Sequence, residues 1–180
     1  MITVLSGSNR KGSETLRFAQ QYADFLRQHT DEEVKVLALE EIPHDYFFPE
    51  MYSAKRQANS LREIQDEYLI PAQKMVYFTS EYNGGYNGSL KLFLDACSVR
   101  ELKSTFKNKK AALVGIASGR AGNLRGMEHM TGVLNHMGTI IMPNKLPISR
   151  IEKLLDDSGE IADTATLSVM EKHAVEFLAF

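Results

Sequence analysis

The chain is poor in the features that would assign it to several large classes. Its 180 residues include one cysteine, so no disulfide can form within it, and a lone thiol suits a reducing cytoplasm. Charge of neither sign dominates. The formal net charge is −2, without the basic surplus expected of a nucleic-acid binder. No apolar run approaches the roughly 18 residues of a membrane helix. An apolar strand pattern starts at Ile2, so no signal peptide is expected, and a cytoplasmic location is. The histidines (His29, His44, His129, His136 and His173) include no pair at a metal-ligand spacing, so no metal site is expected. Two phosphate-loop signatures are also missing. There is no Gly-x-Gly-x-x-Gly after the first strand. The order Lys11, Gly12, Ser13 is not the Gly-Lys-Ser/Thr of nucleotide-hydrolysing loops. The same loop has no cysteine, which a phosphatase of similar architecture would need.

What is present is an ordinary globular composition with a regular alternation of periods. Hydrophobic residues make up 43% and charged residues 24%, and the length suits one α/β domain over residues 1–180. Apolar strand-like runs recur at 2–6, 34–39, 74–79, 111–117 and 139–142. Helical patterns fill the gaps at about 14–28, 55–68, 88–103, 123–137 and 164–179. Such alternation predicts a parallel sheet covered on both faces, and five strands suggest a doubly wound sheet of order 2-1-3-4-5. Residues 143–163, with Pro143, Pro147 and Gly159, read as a long surface connection. Residues 43–53 are unusually aromatic and read as a flap packed on its own core, or alternatively as a wall of a site or a subunit contact.

In an open parallel sheet of this order, ligands bind beyond the carboxyl ends of the strands, where the order reverses. The loops after strands 1, 3 and 4 meet there. The first runs from Gly7 to Thr15 between an apolar strand and an amphipathic helix on which Leu16, Ala19, Ala23 and Leu26 share a face. A strand–loop–helix junction gathers free N–H groups and the positive end of the helix dipole, which attracts an anion, most often phosphate. Ser8, Ser13 and Thr15 add hydroxyls, and Arg10 adds a permanent forked charge. By itself this loop is equally compatible with a plain turn in which Ser13 is the N-cap. The second loop is Ser80-Glu81-Tyr82-Asn83-Gly84-Gly85-Tyr86-Asn87-Gly88 and the third is Ser118-Gly119-Arg120-Ala121-Gly122-Asn123. Their glycines let backbone approach a flat ligand, and their Asn, Ser and Tyr side chains can orient it.

The set Gly7-Ser8-x-Arg10-x-x-Ser13, then Glu81-Tyr82-Asn83, then Ser118-Gly119 resembles the NADPH-dependent FMN reductase family, which includes quinone, chromate and azo-dye reductases. The likeness runs from Ile2 to the last helix. It implies a flavodoxin-like fold and an FMN-dependent transfer of hydride from NADPH or NADH. The electron acceptor would be small: a quinone, free flavin, azo compound or metal oxyanion. It also implies that Ser8, Arg10, Ser13 and Thr15 hold the FMN phosphate. Glu81, Tyr82, Asn83 and Gly84, with Ser118, Gly119 and Arg120, would contact the ring or ribityl chain. Ser80 stands where the family usually has proline, and Tyr86-Asn87-Gly88 replaces its usual Pro-Gly, which implies a freer ring-edge loop.

Other features read more plainly. Cys97 shares a helix face with Leu90, Phe93 and Leu94 and is expected in the core. Asp95 and Glu101, with Lys91, Arg100 and Lys103, read as a solvated face. The helix after strand 4 carries Leu124, Met127, Met130, Val133, Leu134 and Met137, more apolar surface than one face needs. A homodimer or a dimer of dimers is therefore expected. Arg120, with Arg125 close behind, can meet the 2′-phosphate of NADPH. Two other functional classes remain open from the residues: a flavin-bound electron carrier, disfavoured by the weak acidity and Arg10, and a phosphate-binding regulatory module without flavin.

Overall fold

The computed structural model describes residues 1–180. In chain order the elements are β1 (Ile2–Ser6), α1 (Glu14–His29), β2 (Val34–Ala38), α2 (Asn59–Ile64), β3 (Lys74–Tyr82), β4 (Gly85–Tyr86), α3 (Gly88–Ser98), α4 (Leu102–Phe106), β5 (Lys110–Ala117), α5 (Leu124–His136), β6 (Ile140–Ile141), β7 (Leu146–Ser149) and α6 (Thr164–Ala179). The sheet order is β2-β1-β3-β5-β6, and these neighbours run parallel. Val4 of β1 lies opposite Val36 of β2 and Val76 of β3, and β1, flanked on both sides, is buried along its whole length.

The two-residue period of each strand sorts its side chains onto two faces, and each face has its own core. Leu5, Met75, Tyr77 and Leu113 pack with Leu90 and Phe93 of α3 and with Met127 and Met130 of α5. Val4, Val76, Phe78 and Val114 pack with Phe18, Tyr22 and Leu26 of α1 and with Met170 and Phe177 of α6. Cys97 lies in the first core, where burial pushes its thiol well above the usual range. No helix is long and apolar enough to cross a membrane.

Four expectations need correction. The fifth strand is shorter than 139–142, because only Ile140 and Ile141 pair with β5. The remainder of that position is filled by β7, inside the stretch read as surface connection: Leu146 and Ile148 lie opposite Val114 and Ile116 and are buried. The single helix expected at 88–103 is two, α3 and α4, separated at Glu101, whose φ of +52° no helix accommodates. The helix expected at 55–68 is assembled from a 3₁₀ turn at Ala54–Arg56, then α2, then one π turn at Gln65–Leu69. That turn carries the buried Gln65, which donates to the carbonyl oxygens of Cys97 (2.9 Å) and Arg100 (2.6 Å) and to Thr105 Oγ1 (2.6 Å), while Gln57 donates to its Oε1 (3.0 Å).

The aromatic loop divides. Tyr46 and Met51 enter the first core, whereas Phe47 and Tyr52 remain 74% and 68% exposed. At the amino edge of the sheet three lysines close helix C-termini. Lys109 donates to the carbonyl oxygens of Leu69 and Ile70, Lys74 to those of Phe177 and Leu178, and Lys110 to that of Phe180.

Candidate functional site

The first loop leaves β1 still paired to its neighbour, with Gly7 N–H donating to Phe78 O at 2.9 Å. A β-carbon at Gly7 would fall 2.7 Å from Leu90 Cδ2 and 2.9 Å from Phe78 O, so α3 and β3 allow only glycine here. Ser8 turns inward, 1% exposed, and its Oγ accepts from Arg10 N–H (3.3 Å). Ser13 is the N-cap of α1: its backbone is extended and its hydroxyl accepts from Thr15 N–H (3.3 Å). The N–H groups of Gly12 and Ser13 are aimed at a carboxylate, that of Glu40, at 3.3 and 3.2 Å. The loop thus already receives an anionic group.

The second loop is laced to the first. Thr15 Oγ1 and Ser80 Oγ share a hydrogen bond of 2.7 Å. Buried Asn87 donates through Nδ2 to Gly7 O and to Ser89 Oγ, and its Oδ1 accepts from Thr79 Oγ1. Beyond Ser80 the chain forms a tight hairpin, with Glu81 opposite Tyr86 and Tyr82 opposite Gly85. Asn83 and Gly84 make the turn with φ of +53° and +77°, the double left-handed pattern for which Asn-Gly is the preferred pair. Where the absent prolines implied a freer loop, the chain thus supplies a hairpin, a hydroxyl pair and the Asn87 pin. Arg125 reaches this turn, its Nη1 3.7 Å from where a Gly84 β-carbon would sit. Tyr86, stacked edge-on against His129 at 5.2 Å, has its phenol pushed up to about 12 by burial.

The third loop is held to the second by Asn123, whose Nδ2 donates to Thr79 O (2.9 Å). On its other side Arg150 N–H donates to Gly119 O (3.2 Å), which brings the segment after β7 to the sheet edge. The three loops enclose a cavity of about 330 Å³. Of the residues singled out from the sequence, Arg10, Ser13, Thr15, Glu81, Tyr82 and Ser118 line it. Ser8, Asn83, Gly84, Gly119 and Arg120 do not: Ser8 is inside the loop, Asn83 and Gly84 form the hairpin tip, and Gly119 and Arg120 are exposed beside it. Glu14, Ile116, Ala117, Ile151 and Glu152 line the cavity without having been expected there. The run Ile116-Ala117-Ser118 at the end of β5 could have suggested Ile116 and Ala117, and Glu14 lies between the expected Ser13 and Thr15. Nothing local marks Ile151 and Glu152, which arrive through tertiary pairing of β7.

With its geometry in view, this edge can be compared with known proteins. The family model for NADPH-dependent FMN reductases matches residues 1–153. The chain belongs to that family. This FMN reductase family is one of FMN-dependent NAD(P)H oxidoreductases. Among solved structures, the chain is similar to FerB, a flavoenzyme NAD(P)H:(acceptor) oxidoreductase from Paracoccus denitrificans. The TM-score is 0.73 at 20% identity, covering 99% of this chain and 94% of that one. It is also similar to the NADH:FMN oxidoreductase EMOB (TM-score 0.68, 18% identity, 98% and 89% covered). A further likeness is to oxidised flavodoxin 2 from Bacillus cereus (TM-score 0.63, 14% identity, 99% and 97% covered). These likenesses establish the flavodoxin-like fold of the chain.

The donor set fits the cofactor the family implies. The loop before α1 presents main-chain N–H groups, the Ser13 and Thr15 hydroxyls and the exposed Arg10 guanidinium, and a carboxylate already stands in for an anion on two of those N–H groups. Such donors match a phosphate monoester.

Proposed function

We propose that the chain is an FMN-dependent NAD(P)H oxidoreductase for a small acceptor: a quinone, free flavin, azo compound or metal oxyanion. The observation that carries this is the convergence of three loops of an FMN reductase chain on one cavity at the carboxyl edge of the sheet. FMN held there would supply the redox chemistry, that of hydride transfer between nicotinamide and the acceptor.

The chain's own residues bind and orient. Arg10, Ser13 and Thr15 hold the phosphate. Ser8 sits inside the loop and shapes it from within, its oxygen accepting from Arg10 N–H. Glu81 and Tyr82 flank the ring from the hairpin and Asn83 and Gly84 fix the hairpin's turn. Ser118 forms the opposite wall, and Gly119 follows it at the rim, its carbonyl held by Arg150 N–H. Arg120, exposed at the rim, selects NADPH through its 2′-phosphate. Arg120→Ala should raise KM for NADPH and leave NADH nearly unchanged; equal losses for both cofactors would assign Arg120 to the flavin or the fold.

Residues 1–180 act as one FMN-binding domain, and the lone buried Cys97 suits the cytoplasm. A homodimer or dimer of dimers belongs to the same reading. Met127, Met130 and Leu134 are consumed by the chain's own core. Leu102, which lines the groove between α3 and α5, and Leu124, at 48% exposed, remain for a second copy. Light scattering at micromolar concentration checks this, and a monomeric mass refutes it.

The deciding experiment is an FMN titration followed by absorbance, a parallel titration with riboflavin, then anaerobic NADPH. FMN should bind much more tightly than riboflavin, and NADPH should bleach the bound flavin. Equal affinity for the two flavins, or a flavin that stays oxidised, overturns the reading.

A further inference from the structure

Glu40 stands in the turn after β2, where no motif marks it. The turn is fixed to the phosphate loop's own strand, because Leu39 N–H donates to Ser6 O at 3.0 Å. From there the Glu40 carboxylate spans two adjacent N–H groups of the loop, Oε1 to Gly12 and Oε2 to Ser13. It lies on the side of the loop facing a polar hollow of about 380 Å³, which Glu14, Asp24, Glu160 and Arg17 also line. Arg17 is engaged by Glu14 (3.3 Å) and Glu160 (2.9 Å), and no Lys or Arg nitrogen lies within ion-pair distance of Glu40. Its charge is balanced only by the loop that is to receive the cofactor.

We infer that Glu40 is an internal competitor for the phosphate loop that lowers the chain's affinity for FMN and makes the flavin exchangeable. This rests on the FMN reading above. An incoming phosphate has two options. It can take the Gly12 and Ser13 donors, and Glu40 then loses its partners and returns to water. Alternatively it can settle on the remaining donors beside Arg10, and a dianion then sits next to a carboxylate. Both options weaken phosphate binding and leave the isoalloxazine contacts untouched. Glu40 therefore acts on FMN and not on riboflavin.

Glu40→Gln removes the charge and keeps the shape and one accepting oxygen. In a fluorescence-quenching titration it should bind FMN about tenfold more tightly than the wild type, the size of one unit charge at close range in a partly solvated site. Riboflavin affinity should not change. FMN affinity that is unchanged or weaker in E40Q overturns the inference and makes Glu40 an organiser of the loop, as does an equal gain for riboflavin. A second readout needs no flavin. Inorganic phosphate should raise the thermal midpoint of E40Q by more than that of the wild type. Equal shifts overturn the inference even where FMN binds. A wild type that fails to prefer FMN over riboflavin, with the phosphate difference present, instead overturns the FMN reading and leaves Glu40's role intact.

Discussion

The two edges of the sheet treat helix ends in opposite ways. At the amino edge the negative ends are closed from within. Lys109, only 5% exposed, donates to the last carbonyls of the π turn, and Lys74 and Lys110 reach the final carbonyls of α6. Burial draws the Lys109 amine down to about 8, so its charge persists at neutral pH with two carbonyl oxygens as its partners. At the carboxyl edge the positive end of α1 is met by one N-cap and one carboxylate, and the exposed cations Arg10 and Lys11 stand beside it. The same dipole serves both edges. Where the counter-charge is built in and buried, the result is stability. Where it is left exchangeable, the result is a receptor for an anion.

Substitutions can separate the two edges. The largest effect is expected at the closed one. Lys109→Met, which leaves the Leu69 and Ile70 carbonyls without their donor, should cost about 3 kcal/mol in denaturant unfolding. It should leave the ratio of FMN to riboflavin affinity unchanged, and a changed ratio would mean that the edges are coupled. Arg10→Ala at the open edge should do the reverse. It should cost about 2 kcal/mol of FMN affinity, the value of a charge-assisted hydrogen bond, with little change in Tm. A smaller loss of about 1 kcal/mol in stability is expected for Asn83→Ala, which forces an alanine to a φ of +53°. Asn83→Gly should recover most of that loss; failure to do so would point to a contact made by the Asn83 side chain.

The last test uses acid. His173 is buried on α6, where Tyr22 Oη lies 2.7 Å from Nδ1 and Asn144 O lies 3.1 Å from Nε2, with Glu176 the charged group nearby. Burial lowers its pKa in the fold. The unfolded chain therefore takes up the proton first, and stability should fall as pH drops below about 6.5, until the folded histidine is itself protonated. Denaturant midpoints measured across this range check it. In His173→Gln the slope should flatten, and an unchanged slope would assign the acid sensitivity to other groups.

The strands, the helices and the three converging loops were legible because each has a local signature. Ile2–Ser6 is apolar and β-branched, α1 has its apolar stripe, and Asn83-Gly84 is the favoured pair for a tight hairpin. What was illegible depends on distance or on backbone shape. Pro143 before β7 and Pro147 within it make Leu146–Ser149 read as loop, although pairing with β5 is what defines the strand. Glu101 looks like any helical glutamate until its φ is known. A π turn shifts hydrogen bonds by one residue without changing composition, so Gln65 betrays nothing of the carbonyls it satisfies. Glu40 and Glu152 reach the ligand edge only because β2 and β7 lie beside the strands that carry the loops.

The sealed thiol of Cys97 gives the molecule a clock. It lies in the core, its backbone carbonyl is tied to Gln65, and its protonated form is strongly favoured by burial. A thiol reagent can reach it only when α3 lifts from the sheet or the Gln65 turn lets go. The rate of labelling therefore reports those openings, and a ligand that bridges the loops after β1, β3 and β5 at the carboxyl edge should slow it without touching the sulfur.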